Sequence, residues 1–255
     1  LNNAQDYIKQ GIATMREVIS TRDDIMNYLM LKGIENKMSF QIMEDVRKNR
    51  PLKDDQLKVM EEHGVPKWYI DSCIKIQYMF PRAHAVAYTM MSFRMAWYKV
   101  YYPVEFYATY FSSVVADFDE ETILKGSDAI LEKIDLINAK GQAATAKEGN
   151  ELTVLEVAYE MYSRGYEFAD MKLGESDASK FKIKDGKVLL PFMALNGMGE
   201  TAANSFVNEY DAAPYETIED IFKRAKISKS LLEALKLRGV LKGLPETDQL
   251  SFFEI

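Results

Sequence analysis

The sequence holds a single cysteine, Cys73, among 255 residues. An internal disulfide is thereby excluded, and such usage suits a reducing, cytoplasmic compartment. No stretch approaches the ~18–20 consecutive apolar residues that a bilayer-spanning helix needs. The run from Ala83 to Tyr102 comes nearest, and Arg94 and Lys99 interrupt it. The first residues lack a basic segment followed by an apolar one, so they do not read as a signal peptide. They also lack an initiator Met, which leads us to expect a longer parent chain. Net positive charge is missing too: 32 Lys and Arg against 39 Asp and Glu leave −7. A surface basic throughout, of the kind that coats nucleic acid, is therefore excluded.

What is present is the composition of a folded protein. Hydrophobic residues make up 47%, charged residues 28% and aromatics 12%, enough to bury a substantial core. The length allows one large domain or two to three small ones. Charge is also unevenly spread. From Gly64 to Tyr102 five basic residues face only Asp71, a local balance of +4, and from Lys223 to Lys242 seven face only Glu233, a balance of +6. A protein that grips phosphates needs positive surface only where the backbone passes.

Residues 1–165 read as helix after helix. Thr21 with Asp23 and Asp24 predicts an N-cap and first turn, and Gly33 the end of that helix. Further helices are expected over 35–48, 54–62 and from Pro66. Pro81 suits the first position of a long helix to Tyr102, which is apolar on almost every side and so reads as buried between layers. Asp117 to Asp119 predicts a helix start leading to Ile123, Ile130 and Ile137. Residues 139–150 read as a loop, followed by a helix over 152–163. After Gly165 the pattern changes: Asp185-Gly186 between apolar pairs is a tight hairpin signal. Three short helices are expected at 201–210, 218–225 and 229–237, then a flexible tail from Leu244.

Three constellations carry chemistry. The first runs Tyr78-Met79-Phe80-Pro81-Arg82-Ala83-His84-Ala85 and on to Tyr88. With the aromatic helix behind it and Tyr102-Pro103-Val104-Glu105-Phe106, it resembles the fingers of C-family bacterial replicative DNA polymerases. The resemblance to the PolC-type members extends from Arg22-Asp23-Asp24-Ile25-Met26 to the C-terminus. It implies contacts with an incoming deoxynucleoside triphosphate by Arg82 and His84, whose place at a helix N-terminus adds dipole and N–H groups. Tyr78 would stack on base or sugar, Lys75 lies one turn before it, and Arg22 is a further candidate from the same resemblance.

The second is Leu195-Asn196-Gly197-Met198-Gly199, which resembles the hairpin of a helix-hairpin-helix motif. Gly197 and Gly199 around Met198 let the backbone turn tightly and offer N–H groups to a duplex phosphate. Lys223, Arg224, Lys226 and Lys229 would add positive charge, and Glu200 is an acidic departure beside the hairpin. The third is Gln249-Leu250-Ser251-Phe252-Phe253, which resembles the peptide that docks bacterial polymerases on the beta sliding clamp. Gln249 would anchor a polar pocket, and Leu250, Phe252 and Phe253 would fill a groove.

Nucleotide addition needs carboxylates that hold two cations about 3.5–4 Å apart. Asp117 and Asp119 are the only candidates, and they read as a helix start. No catalytic residue and no metal ligand is therefore assigned here; the resemblance implies palm aspartates upstream of this sequence and magnesium for the full polymerase, with palm, thumb and exonuclease domains making up the rest of the parent chain.

The expected fold is mainly α, in three parts. Residues 1–165 form a helical polymerase fingers portion, 166–243 a small α+β domain that holds primer-template DNA through a helix-hairpin-helix, and 244–255 a clamp-binding tail. A non-enzymatic DNA-binding scaffold of a repair or replication complex would share the hairpin and tail. Tyr78 with Arg82-Ala83-His84 separates the two readings, because a scaffold has no use for it.

Overall fold

The computed structural model describes residues 3–247. The chain divides into two compact units between Arg94 and Met95. It is mainly helical, with one small sheet.

The first unit contains α1 (Gln5–Lys9), α2 (Arg22–Leu31), α3 (Asn36–Arg47), α4 (Asp54–Glu62) and α5 (Lys67–Lys75). Gly33 and Gly64 follow α2 and α4 at positive φ, +87° and +66°, a conformation that ends a helix without a Cβ penalty. Ile25 and Leu29 of α2 meet Ile42, Met43 and Val46 of α3 and Tyr69, Ile70 and Cys73 of α5 in one apolar core. Tyr28 stacks on Tyr69 at 4.2 Å. Burial pushes the Cys73 thiol up to about 12, so it stays protonated and acts as a small core side chain.

Next come α6 (Arg82–Tyr101), across the division, and α7 (Pro103–Ser113). Pro103 does more than end α6: it opens α7 at the first helical position, where a missing N–H costs nothing. The expectation that the long helix is buried between layers is not met, since no residue of α6 is buried. Tyr88, Phe93, Val100 and Tyr101 are each more than 60% exposed. All-round apolarity signals a helix that requires cover, and the described residues do not supply it.

The second unit continues with α8 (Glu120–Ile123), α9 (Ser127–Lys140) and α10 (Ala146–Ser163). The loop expected over 139–150 shrinks to a short connection. Thr145 and Glu148 form a capping box that starts α10 early, and its polar first turn hid the helix from an apolar-period reading. Strands β1 (Phe168–Ala169), β2 (Lys182–Lys184) and β3 (Lys187–Leu189) follow. β2 and β3 pair antiparallel around Asp185 and Gly186, both at positive φ, the primed turn that Asp-Gly favours. β1 adds parallel to β3; at two residues it is too short to show alternation.

Then come α11 (Glu200–Ala212), α12 (Ile218–Ala225) and α13 (Lys229–Leu237). One core spans this unit: Tyr107 and Phe111 of α7, Ile130 of α9 and Leu155 of α10 pack with Val188 of β3, Phe206 of α11, Ile221 of α12 and Leu235 of α13. Phe118 lies 4.9 Å from Phe181, and Phe111 lies 5.0 Å from Phe168. This core joins side chains from both sides of residue 165, so residues 166–243 pack as one body with α7 to α10. Among the described residues no helix is long and apolar enough to cross a membrane.

Candidate functional site

In the first unit, the N-terminus of α2 and that of α6 are stitched together. Asp24 closes a capping box, its Oδ2 accepting from the N–H groups of Thr21 at 2.7 Å and Ser20 at 3.1 Å. Its Oδ1 accepts from the Arg82 guanidinium. Asp23 accepts from the Arg82 backbone N–H at 2.6 Å, and the Arg22 N–H donates to the Phe80 carbonyl at 3.1 Å. Burial works to raise the Asp24 pKa, but the Arg82 hydrogen bond and the capping N–H groups outweigh it and hold the carboxyl below its ordinary value. Asp23 and Asp24 are legible as a helix start; their partner lies 58 residues away, and no local signal announces it.

The predicted nucleotide contacts are brought together only in part. Lys75, Tyr78 and Phe80 line one recess with Ser20; Arg82 lines another with Thr21, Asp24 and Tyr28. Lys75 sits 4.8 Å over the Tyr7 ring. The Arg22 side chain turns toward Glu44, 3.9 Å away. His84 stands in a ladder of rings, with centroids 4.9 Å from Phe80 and 4.4 Å from Tyr88, and Phe80 is 5.0 Å from Tyr78. Phe80 and Tyr88 were not singled out as contacts from the sequence, although an aromatic at every second to fourth position around His84 is a visible pattern.

In the second unit, the hairpin is anchored through buried Leu195 and Met198. The Met198 N–H donates back to the Leu195 carbonyl at 2.9 Å. Gly197 adopts φ +84°, and a Cβ there would meet Leu231 of α13 at 3.9 Å. Gly199 is the N-cap of α11 with ordinary backbone angles, and a Cβ there would meet nothing within 4 Å. Its small size is therefore required neither by the backbone nor by packing within the described residues. The Asn196 N–H turns inward to Glu120 at 2.9 Å. Burial raises the Glu120 pKa, opposed by that N–H and by Arg238. Among the described residues, the N–H groups of Gly197 and Gly199 make no hydrogen bond.

The four predicted basic contacts differ in state. Arg224 donates to Asp220 at 2.9 Å, to the Ala213 carbonyl at 2.7 Å and to the Glu209 carbonyl, and its guanidinium lies 4.8 Å over Tyr215. It thereby satisfies carbonyls at the end of α11. Lys223 pairs with Glu219 at 2.8 Å. Lys226, at φ +55°, and Lys229, in the first turn of α13, are exposed and make no ion pair among the described residues. Gln249, Leu250, Phe252 and Phe253 lie outside the described residues.

Asp119 caps α8, its side chain accepting from the Thr122 N–H at 3.2 Å, and lies 3.6 Å from Lys133. Among the described residues no three His, Cys, Asp or Glu side chains are placed to hold a metal ion.

A braced glycine hairpin with exposed N–H groups, capping a helix and followed by two short helices, defines a helix-hairpin-helix module; the family model for the helix-hairpin-helix motif matches residues 165–249. Over nearly its whole length the chain is also similar to a segment of proteins named DNA polymerase III PolC-type. It is 51% identical to the DNA polymerase III PolC-type of Caldanaerobacter subterraneus, 46% to that of Bacillus subtilis and 44% to that of Thermotoga maritima. Each match takes in 99% of this chain and 18% of the relative, so the chain spans less than a fifth of the relatives' length.

Proposed function

We propose that the complete protein is a replicative DNA polymerase, adding deoxynucleotides to a primer 3′ end on a template, and that it works in the cytoplasm. This segment supplies contacts to the incoming triphosphate (Arg22, Lys75, Tyr78, Arg82, His84), a grip on the duplex (Gly197, Met198, Gly199, Lys226, Lys229) and a sliding-clamp tether (Gln249, Leu250, Phe252, Phe253). By itself it is inactive, because magnesium is held by palm carboxylates elsewhere in the parent chain. The uncovered apolar side chains of α6 are where palm, thumb or other parent domains would pack.

The observation that carries this reading is identity at about half the positions over nearly the whole chain, in a match long enough to take in both the candidate nucleotide face and the hairpin. The physical chemistry agrees. Backbone N–H groups at a hairpin read phosphates and not bases, which suits an enzyme that must slide along any sequence. A cation at a helix N-terminus suits a triphosphate.

Primer extension by the complete polymerase tests it. Arg82→Ala and His84→Ala should each raise the apparent KM for nucleotide about tenfold, the order expected for one lost charge-assisted contact, while melting is little changed. Unchanged nucleotide kinetics in both variants would remove these residues from the nucleotide site.

A further inference from the structure

Glu120 is buried, its residue only 3% exposed, although it lies 45 residues before the helix-hairpin-helix match begins. A buried carboxylate is costly unless it is paired and hydrogen-bonded. Its partners here are specific. A single oxygen, Oε1, accepts from the Asn196 N–H at 2.9 Å and from the Arg238 guanidinium at 3.3 Å. Arg238 in turn reaches Asp170 at 3.3 Å. Asn196 immediately precedes Gly197, which turns at φ +84° beside Leu231 of α13, and Arg238 caps the far end of α13. One atom of α8 thus ties the entry of the hairpin to the helix packed behind it.

We infer that Glu120 is a positioning residue for the duplex grip, holding the Asn196 N–H inward so that Gly197 and Gly199 present theirs outward. The inference rests on the reading that the hairpin contacts duplex phosphates. It adds that the grip is set from outside the helix-hairpin-helix segment, by the helical part that precedes it.

Charge counting and positioning predict opposite signs. Removing a carboxylate and releasing Arg238 makes this face more positive, which alone tightens binding to a polyanion. If Glu120 positions the hairpin, its removal weakens binding despite the added positive charge. Leu has similar bulk and cannot accept a hydrogen bond; Gln keeps an oxygen for the Asn196 N–H.

The test is duplex affinity of the 255-residue chain at fixed salt, with amide hydrogen exchange read at Asn196. Glu120→Leu should bind about tenfold more weakly, in line with the loss of a buried hydrogen-bond acceptor, with faster exchange at Asn196. Glu120→Gln should stay within about threefold of wild type. Affinity equal to or tighter than wild type in Glu120→Leu overturns the inference. Should that variant fail to fold, the double variant Glu120→Leu/Arg238→Leu removes as well the cation left with Asp170 alone; weakened binding supports the inference and wild-type affinity overturns it. Gly197→Val serves as the control. If it abolishes binding while Glu120→Leu does not, only the Glu120 inference falls. If the wild-type chain and Gly197→Val bind alike, the duplex-grip reading falls and this inference with it.

Discussion

The two units hold their candidate contacts in opposite states. In the first, the cation at the head of α6 is already engaged: Arg82 bonds Asp24, and its backbone N–H bonds Asp23. The rings beside it, Tyr78, Phe80 and Tyr88, are half or more exposed, and no side chain of α6 is buried. In the second, the hairpin is braced from behind by Leu195, Met198 and Glu120, while the N–H groups of Gly197 and Gly199 are left without partners among the described residues. The difference separates a site that must exchange internal bonds for a ligand from one that offers bonds not yet made. On the proposed reading, a triphosphate would compete with Asp24 for Arg82, whereas a duplex phosphate would meet no such competitor among the described residues at the hairpin.

The largest expected effect breaks the basic stretch of the second unit into two kinds of residue. Arg224→Ala removes the donor to the Ala213 and Glu209 carbonyls at the end of α11, so the melting temperature of the chain should fall by several degrees. Lys226→Ala and Lys229→Ala should leave melting unchanged, yet each should lower the salt slope of duplex binding by about one. Thermal unfolding and salt titration of the three variants read this; equal melting for all three would show that Arg224 is not a structural contact.

A smaller effect concerns the first unit and acid. The Asp24 carboxyl lies below its ordinary value, with burial opposing and the Arg82 and capping hydrogen bonds prevailing. A depressed folded pKa gives stability that is present above the unfolded value, about 4, and is lost as pH falls through the folded one. Asp24→Asn should therefore flatten the acid limb of the stability profile below pH ~4. Glu44, held at about 2 by hydrogen bonds from Arg47 and Lys48, keeps its own acid dependence in the variant. Chemical unfolding followed between pH 2 and 6, about the range over which carboxylates titrate, makes the comparison; an unchanged limb would show that the Arg82–Asp24 pair does not persist in solution.

The smallest effect sharpens the claim that the hairpin awaits a ligand. Ser is a better N-cap than Gly by a few tenths of a kcal/mol, and the space around Gly199 is open. Gly199→Ser should leave melting unchanged or slightly raised while it weakens duplex binding, since the new side chain stands where a phosphate would approach. Unweakened binding would place the phosphate elsewhere on the hairpin.

Much of this was legible in the sequence, for identifiable reasons. The three short helices near 200–237 and the Asp185-Gly186 turn follow from capping residues and turn chemistry acting within a few positions. The glycine hairpin was legible for the same reason: Gly197 turns at positive φ and Gly199 caps α11, both through their own backbone. What escaped depends on distance in the chain. Asp24 meets Arg82 across 58 residues and Glu120 meets Arg238 across 118, and neither acid differs locally from any other helix-start carboxylate. The early start of α10 escaped because its first turn is polar. The exposure of α6 escaped because apolarity reports the need for burial, whereas the burying partner must come from other residues.

The most direct test of the central claim, a phosphate grip built on the Gly197 turn, is a salt titration of duplex binding by the 255-residue chain and its Gly197→Val variant. A β-branched residue at φ +84° should cost about 1–3 kcal/mol of backbone strain and deform the hairpin. The wild-type chain should bind duplexes of any sequence alike, with log affinity falling linearly in log salt by about 0.9 per phosphate contacted, and the variant should lose most of that affinity while remaining folded. Affinity independent of salt, a clear preference for one sequence, or equal binding by a folded Gly197→Val variant would contradict the account.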